Sequence, residues 1–235
     1  MRQVPHYLII GSGRLARHFS HYLALLRMPY ESWHRGLPLA YLTDAAKRST
    51  HGLLLISDQS IEPFLEDNAS ILPAMMVHCS GSLVTQKAYG AHPLTTFSAN
   101  TLYDPQQYRN IPFILDEDTP PFEQLLPGLP NPHVRLKKSF KEKYHALCVL
   151  AGNFSCLLWK KLFDDFENQL HLSPNIAHVF LRQLTENLIH NPQSALTGPL
   201  VRKDQATIEK NIAALNADPF RDVYESFVSC FKRIN

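Results

Sequence analysis

The stretch from Tyr7 to Ala16 constrains this chain more than any other. Four apolar residues (Tyr7-Leu8-Ile9-Ile10) stop at Gly11, a second glycine follows at Gly13, and an amphipathic pattern (Leu15, Phe19, Tyr22, Leu23, Leu26) starts at once. That order predicts a strand, a tight turn and a helix. Glycine lets the backbone turn sharply and approach a phosphate with no Cβ in the way. The helix that follows turns unpaired N–H groups and the positive end of its dipole toward the same place. Ala16 stands where the dinucleotide fingerprint ends in Gly or Ala, at the close approach of helix and strand. Gly11, Ser12, Gly13, Arg14 and Leu15 are therefore the expected phosphate cradle. Such turns also join strand to helix in proteins without a nucleotide, so the motif gains its weight from following the first strand directly.

Bulk properties narrow the partners. With 235 residues the chain can bury a sizeable core as one large domain or two small ones, and 45% hydrophobic with 19% charged residues is ordinary globular composition. A net charge of +2 gives no electrostatic case for nucleic acid or a membrane surface. The densest basic cluster, Arg135 to Lys138, reads as a solvated linker. No apolar run is read as long enough to cross a bilayer, and Met1 to His6 lack a signal core, so a cytoplasmic protein is expected. The four cysteines show no CxxC spacing and read as reduced structural residues, and the twelve histidines form no HxH or HExxH pair. No metal site is expected.

Along the chain, Pro29 to Arg35 reads as a second strand. Where an NAD-binding protein carries an acidic residue for the ribose hydroxyls, this sequence has His34-Arg35; Glu31 lies too early in the strand. A cation there suits the 2′-phosphate of NADP, with NAD as the other possibility, although an arginine in an exposed loop has the same sequence signature. Leu39 to Arg48 reads as a helix and Gly52 to Ile56 as a strand buried on both faces. That strand ends at Ser57 and Asp58, which point toward the ligand crevice unless Asp58 is only a helix cap. Met75 to Cys79 is a fourth strand ending at Ser80, Tyr89 to Leu94 a fifth, and 111–115 and 133–136 are further strands. Alternating strands and helices to residue 137 predict an α/β fold, a Rossmann-type doubly wound parallel sheet.

From Phe140 the period is helical throughout. Tyr144, Leu147, Cys148, Ala151, Phe154, Leu158 and Leu162 form one stripe, and Val149, Leu150 and Leu157 make a second face apolar. Such a helix is expected to be buried between domains or subunits. Ser173-Pro174, Asp204 and Asp218-Pro219 are start signals for three more helices. The expected division is thus 1–137, an α/β nucleotide-binding domain, and 138–235, an all-α domain.

Four segments together carry a resemblance: residues 11–16, His78-Cys79-Ser80-Gly81, residues 90–97 (Gly-Ala-His-Pro-Leu-Thr-Thr-Phe) and residues 196–204 (Leu-Thr-Gly-Pro-Leu-Val-Arg-Lys-Asp). In this order they resemble a bacterial family with a Rossmann-like domain and a helical C-terminal domain of unknown function. That family is similar to ketopantoate reductase, pyrroline-5-carboxylate reductase and 6-phosphogluconate dehydrogenase. The resemblance implies an NAD(P)-binding fold and often a homodimer joined through the helical domain. Three positions depart from it. Ser57-Asp58 replaces Pro-Asp, Lys203 replaces a glycine, and Val149 stands four residues before Asn153, where better-known dehydrogenases carry a proton-donating lysine.

The expected chemistry follows from these residues. His92, at a strand end, has a side chain suited to proton donation near neutrality, or it is a packed structural histidine. Asn153 resembles the family asparagine and can hold a carbonyl or carboxylate. His145 lies two turns earlier on the same helix. Thr197, Arg202 and Asp204 form a candidate polar wall for substrate, with an ion pair or helix cap as the alternative for Arg202 and Asp204. Two functions remain open at this point: an NADP-dependent oxidoreductase for a small polar carbonyl or imine, or an NAD(P)-binding sensor that has lost its donor.

Overall fold

The computed structural model describes residues 4–234. Met1 to Gln3, part of the stretch read as lacking a signal core, lie outside the described residues. The chain divides into two compact units between Cys156 and Leu157.

The first unit is a seven-stranded sheet in the order β2-β1-β3-β4-β5-β6-β7. The strands are β1 (Tyr7–Ile10), β2 (Tyr30–Trp33), β3 (His51–Leu54), β4 (Met75–His78), β5 (Tyr89–Pro93), β6 (Phe113–Asp116) and β7 (His133–Leu136). Helices α1 (Arg14–Leu25), α2 (Leu39–Arg48) and α3 (Asp58–Asn68) connect the first four. Every residue of β1 is fully buried because the strand alternates between two cores. Tyr7 and Ile9 pack with Phe19, Tyr22 and Leu23 of α1, whereas Leu8 and Ile10 pack with Leu42 and Ala45 of α2. Burial on both faces is why the sequence shows an unbroken apolar run there.

The expected all-parallel sheet needs one correction. Strands β1 to β5 are parallel, but β6 runs antiparallel to β5, and β7 follows β6 in parallel. The reason lies in the connection. Residues 94–112 carry only the short helix α4 (Pro105–Arg109) and stay at the end of the sheet where β5 finishes. Hydrogen bonds to α1 hold them there: Arg14 Nη1 to the Phe97 carbonyl (3.3 Å), Arg17 Nη1 to the Ala99 carbonyl (3.1 Å), and His18 Nε2 to the Ser98 carbonyl (2.8 Å). That last bond fixes the buried His18 with its proton on Nε2, so the Tyr108 hydroxyl donates to Nδ1 at 2.8 Å. A chain that never crosses the sheet must return antiparallel.

Between β6 and β7 lies α5 (Phe122–Leu125), and α6 (Lys141–Cys148) follows β7. The side chain of Lys141 is buried and pairs with the equally buried Asp116 at 2.8 Å, while its Nζ also donates to the Leu83 carbonyl. Asp116 fits because Gly90 lacks a Cβ, which would lie 2.4 Å from Oδ2. Beside Gly90 in the β4–β5 register is His78, fully buried with neither ring nitrogen hydrogen-bonded. Burial first, and then the nearby Lys141 charge, push its pKa down to about 3, so the ring is held neutral.

Helix α7 (Phe154–Asn168) begins just before the division, and the second unit holds the rest of it with α8 (Ala177–His190), α9 (Gln205–Ala214) and α10 (Phe220–Ile234). Asp218 accepts from the Phe220 amide at 2.8 Å and pairs with Lys161, tying the start of α10 to α7. Few large side chains are buried here; Ala177, Ala195, Ile208 and Val228 are the buried hydrophobic residues among those described.

The expectation of a buried helical stripe is not met within the single chain. Leu147 and Leu150 are each 56% exposed and Phe154 48%. A second correction concerns length: the helical segment Lys138–Asn168 is long and apolar enough to cross a membrane by length and composition. Its uncharged part, however, runs only from Tyr144 to Trp159 between Lys143 and Lys160. Sixteen residues of helix span about 24 Å, short of the roughly 30 Å of a hydrocarbon core.

Candidate functional site

The cradle forms as glycine chemistry requires. Gly11 has φ +132°, and a Cβ there would lie 2.3 Å from the Leu55 carbonyl oxygen, so the turn from β1 needs glycine against β3. Gly13 is the N-cap of α1, makes no side-chain cap, and would meet nothing within 4 Å if given a Cβ. The first-turn amides of α1 therefore face a cavity of about 620 Å³. Gly11, Ser12, Gly13, Arg14 and Leu15 line one wall, His34 and Arg35 another, and Ser57 and Ser60 a third. The cavity opens at the carboxyl ends of β1 and β3, where the strand order reverses. Free amides, a helix dipole and open space suit the pyrophosphate of a dinucleotide.

Around the ribose position, Glu31 is engaged elsewhere. It accepts a bidentate pair from Arg48 (2.8 and 2.6 Å), whose guanidinium holds its carboxyl below the usual range. Arg35 makes no hydrogen bond or ion pair among the described residues. His34 Nδ1 accepts from the Gly36 amide at 3.2 Å. The wall thus offers a free cation and no carboxylate.

Asp58 and Ser80 do not line this cavity. Ser80 Oγ donates to Asp58 Oδ2 and accepts from the Leu83 amide (2.9 Å), and Ser82 Oγ also donates to Asp58 (3.2 Å). Together they fasten the turn after β4 to the start of α3. Ser57 is the N-cap of α3, with its hydroxyl 2.7 Å from that of Ser60.

A second cavity of about 460 Å³ lies within the same unit and brings His92, His145 and Asn153 together. Residues 95–97 tie it to the cradle: Thr95 and Thr96 line the second cavity, and Arg14 of the cradle donates to the next carbonyl, Phe97. Gly81 packs against two of its rings; a Cβ there would lie 2.6 Å from His145 Cδ2 and 3.3 Å from His92 Nε2. The rings of His92 and His145 stand edge to face at 6.4 Å between centroids.

Two features were not legible from the periodicity. The helix turns π from Val149 to Asn153, with the Phe154 amide bonded to the Val149 carbonyl five residues back. This wider turn puts Cys148 as well as Val149 on the cavity face beside Asn153, so the missing lysine at 149 does not empty the site of donors. The second feature is Tyr144, whose hydroxyl lies 2.7 Å from His92 Nδ1 and also bonds Cys148. Burial raises its pKa, so it stays protonated. Burial, then the charges of His145 and Lys141, lower His92 to about 4. The four-then-five spacing Tyr144, Cys148, Asn153 is the one sequence signal that could have found this face.

Those two depressed histidines make a stability prediction. Between pH 6.5 and about 4 the unfolded chain binds more protons at residues 78 and 92 than the folded one, so stability falls as pH falls. Urea unfolding should show a loss of roughly 3 kcal/mol between pH 6.5 and 5, above the carboxylate range. A flat profile there would mean that both rings take up protons freely in the folded state.

The remaining candidates lie in the second unit. Asp204 is the N-cap of α9, accepting from the Thr207 amide (3.1 Å) and hydroxyl (2.7 Å), which holds its carboxyl below the usual range. Lys203 takes φ +57°, at the position where the resemblance expects glycine; Arg202 lies in the same turn, and Thr197 in the irregular stretch before Gly198.

The fold and the cradle define a Rossmann-like chain with a helical C-terminal region. Residues 115–229 match the family described as a domain of unknown function (DUF2520). No curated protein matches the chain. Among solved structures it is similar to a candidate NADP oxidoreductase from Bacteroides fragilis, with a TM-score of 0.77 and 17% identity over 97% of both chains. It is also similar to a protein from Thermotoga maritima (0.65, 20%, 97% of both). A third is a reductive aminase from Aspergillus terreus in complex with NADPH and ethyl levulinate (0.61, 12%, 98% of this chain and 93% of that one). At these identities the likeness establishes the fold.

Proposed function

We propose that the protein is an NADP-dependent oxidoreductase that reduces a small carbonyl or imine. The observation that carries this reading is the uncapped start of α1 facing a large cavity whose far wall holds an unpaired Arg35. The neighbours named for NADP or solved with NADPH support it. In this reading residues 11–15 hold the pyrophosphate, and His34 and Arg35 hold the 2′-phosphate. When bound, the reduced nicotinamide supplies the hydride. Tyr144 donates the proton to the developing oxygen or nitrogen charge, and His92 relays its replacement: Nδ1–H passes to the Tyr144 oxygen as Nε2 takes up a proton from solvent, so the ring ends neutral. Asn153 orients the substrate heteroatom.

Fluorescence titration tests the cofactor assignment. Arg35→Ala should weaken NADPH about 10- to 100-fold, the worth of a charged hydrogen bond of roughly 1.5–3 kcal/mol, and leave NADH unchanged. Equal weakening of both, or of neither, would remove the 2′-phosphate role.

The reading extends to assembly. Residues 1–137 bind nucleotide, residues 138–235 serve substrate and dimerisation, and the exposed face around Leu147, Leu150 and Phe154 packs against a second copy. The small core of the second unit supports this, because its exposed apolar side chains need a partner. Four free thiols suit a cytoplasmic protein. Sedimentation should give a dimer for the native protein and a monomer for Leu150→Asp; a native monomer rejects the assembly.

A further inference from the structure

The second cavity has an unusual balance of charge for a site that would take an oxo acid. No lysine, arginine, aspartate or glutamate lines it among the described residues. Its polar groups, Tyr144 and Asn153 foremost, are hydrogen-bonding but uncharged, and Leu94, Leu147 and Val149 form an apolar wall. Of the two bases that act on His92 from nearby, Lys141 is buried and committed to Asp116 and the Leu83 carbonyl, and His145, an imidazole and not a fixed charge, lines the cavity. A carboxylate entering this cavity would leave water with no fixed positive charge to meet it and only imidazole rings in reach, and such burial is unfavourable. We propose that this cavity selects a carbonyl compound that carries no carboxylate. The inference rests on the reductase reading for its chemistry alone: the carbonyl gains a hydride and a proton to become an alcohol, and NADPH becomes NADP⁺.

Cys148 gives a readout independent of turnover, since its half-buried thiol lines the same cavity. Methyl 4-oxocyclohexanecarboxylate and the free acid form a matched neutral and anionic pair. The ester should slow alkylation of Cys148 by iodoacetamide, followed by peptide mass spectrometry, and the acid at equal concentration should not. In NADPH-consumption assays the ester should be favoured at least tenfold in kcat/KM. Leu94→Arg, a change at an exposed rim position, should narrow both differences. Protection by the acid equal to that by the ester, protection by neither, or an L94R protein with unaltered discrimination overturns the proposal. A protein that fails to bind NADPH instead defeats the reductase reading, and the Cys148 labelling pattern still decides the substrate class.

Discussion

Replacing Gly13 with aspartate should make the protein more stable and unable to bind NADPH. Gly13 has φ −74° and ψ −173°, the extended geometry of an N-cap, and a side chain there meets nothing. An aspartate carboxylate would accept from the free first-turn amides and complement the helix dipole, raising stability by about 0.5–1 kcal/mol. The same carboxylate would fill and repel the place of the pyrophosphate, so NADPH affinity should fall at least 100-fold, roughly 3 kcal/mol. Thermal unfolding and fluorescence titration on one preparation read both effects. If the variant is stabilised and still binds NADPH as tightly as the parent, the cradle is a structural turn and the redox reading fails. Gly11 makes the contrasting control: its positive φ and the Leu55 carbonyl oppose any side chain, so a substitution there would damage fold and binding together.

The second large effect concerns proton delivery. Tyr144→Phe keeps the ring between His92 and the cavity and removes only the hydroxyl. Loss of a positioned general acid is expected to lower kcat about 10²- to 10³-fold, with the NADPH dissociation constant unchanged. His92→Ala should cost less, because the tyrosine retains its own proton and only its resupply slows. Full activity in Tyr144→Phe would show that another group or water protonates the product. Val149 in place of a lysine points to a silent sensor only if the helix keeps a regular period. The π turn changes that argument, because it brings a longer arc of the helix onto the cavity.

Legibility in the sequence divided along a physical line. The turn at Gly11 and Gly13 could be read directly, since glycine admits the positive φ that a sharp turn needs and leaves the backbone beside it uncovered. The two-faced burial of β1 could be read from its apolar run, and the start of α9 from the capping residue Asp204. The reversed strand β6 could not, because its direction depends on long-range bonds from Arg14, Arg17 and His18 to residues 97–99. The π insertion was also hidden: a stripe spaced by threes and fours absorbs one extra residue without a break. Asp58 and Ser80 had the right composition for a crevice, yet each satisfies the other. Gly81 stood within a recognised motif, but its purpose, close passage of two imidazoles, exists only in three dimensions.

The ion pair between Asp116 and Lys141 bears on where this protein can be cut. It bolts the last residue of β6 to the first turn of α6, past the point where the strand pattern ends at Leu136. A fragment stopping at 137 would keep a carboxylate sealed beneath Gly90 and His78 with its counterion gone. The sheet therefore carries the opening turn of the helical segment as part of its own foundation, and a free-standing nucleotide module must reach past Lys141.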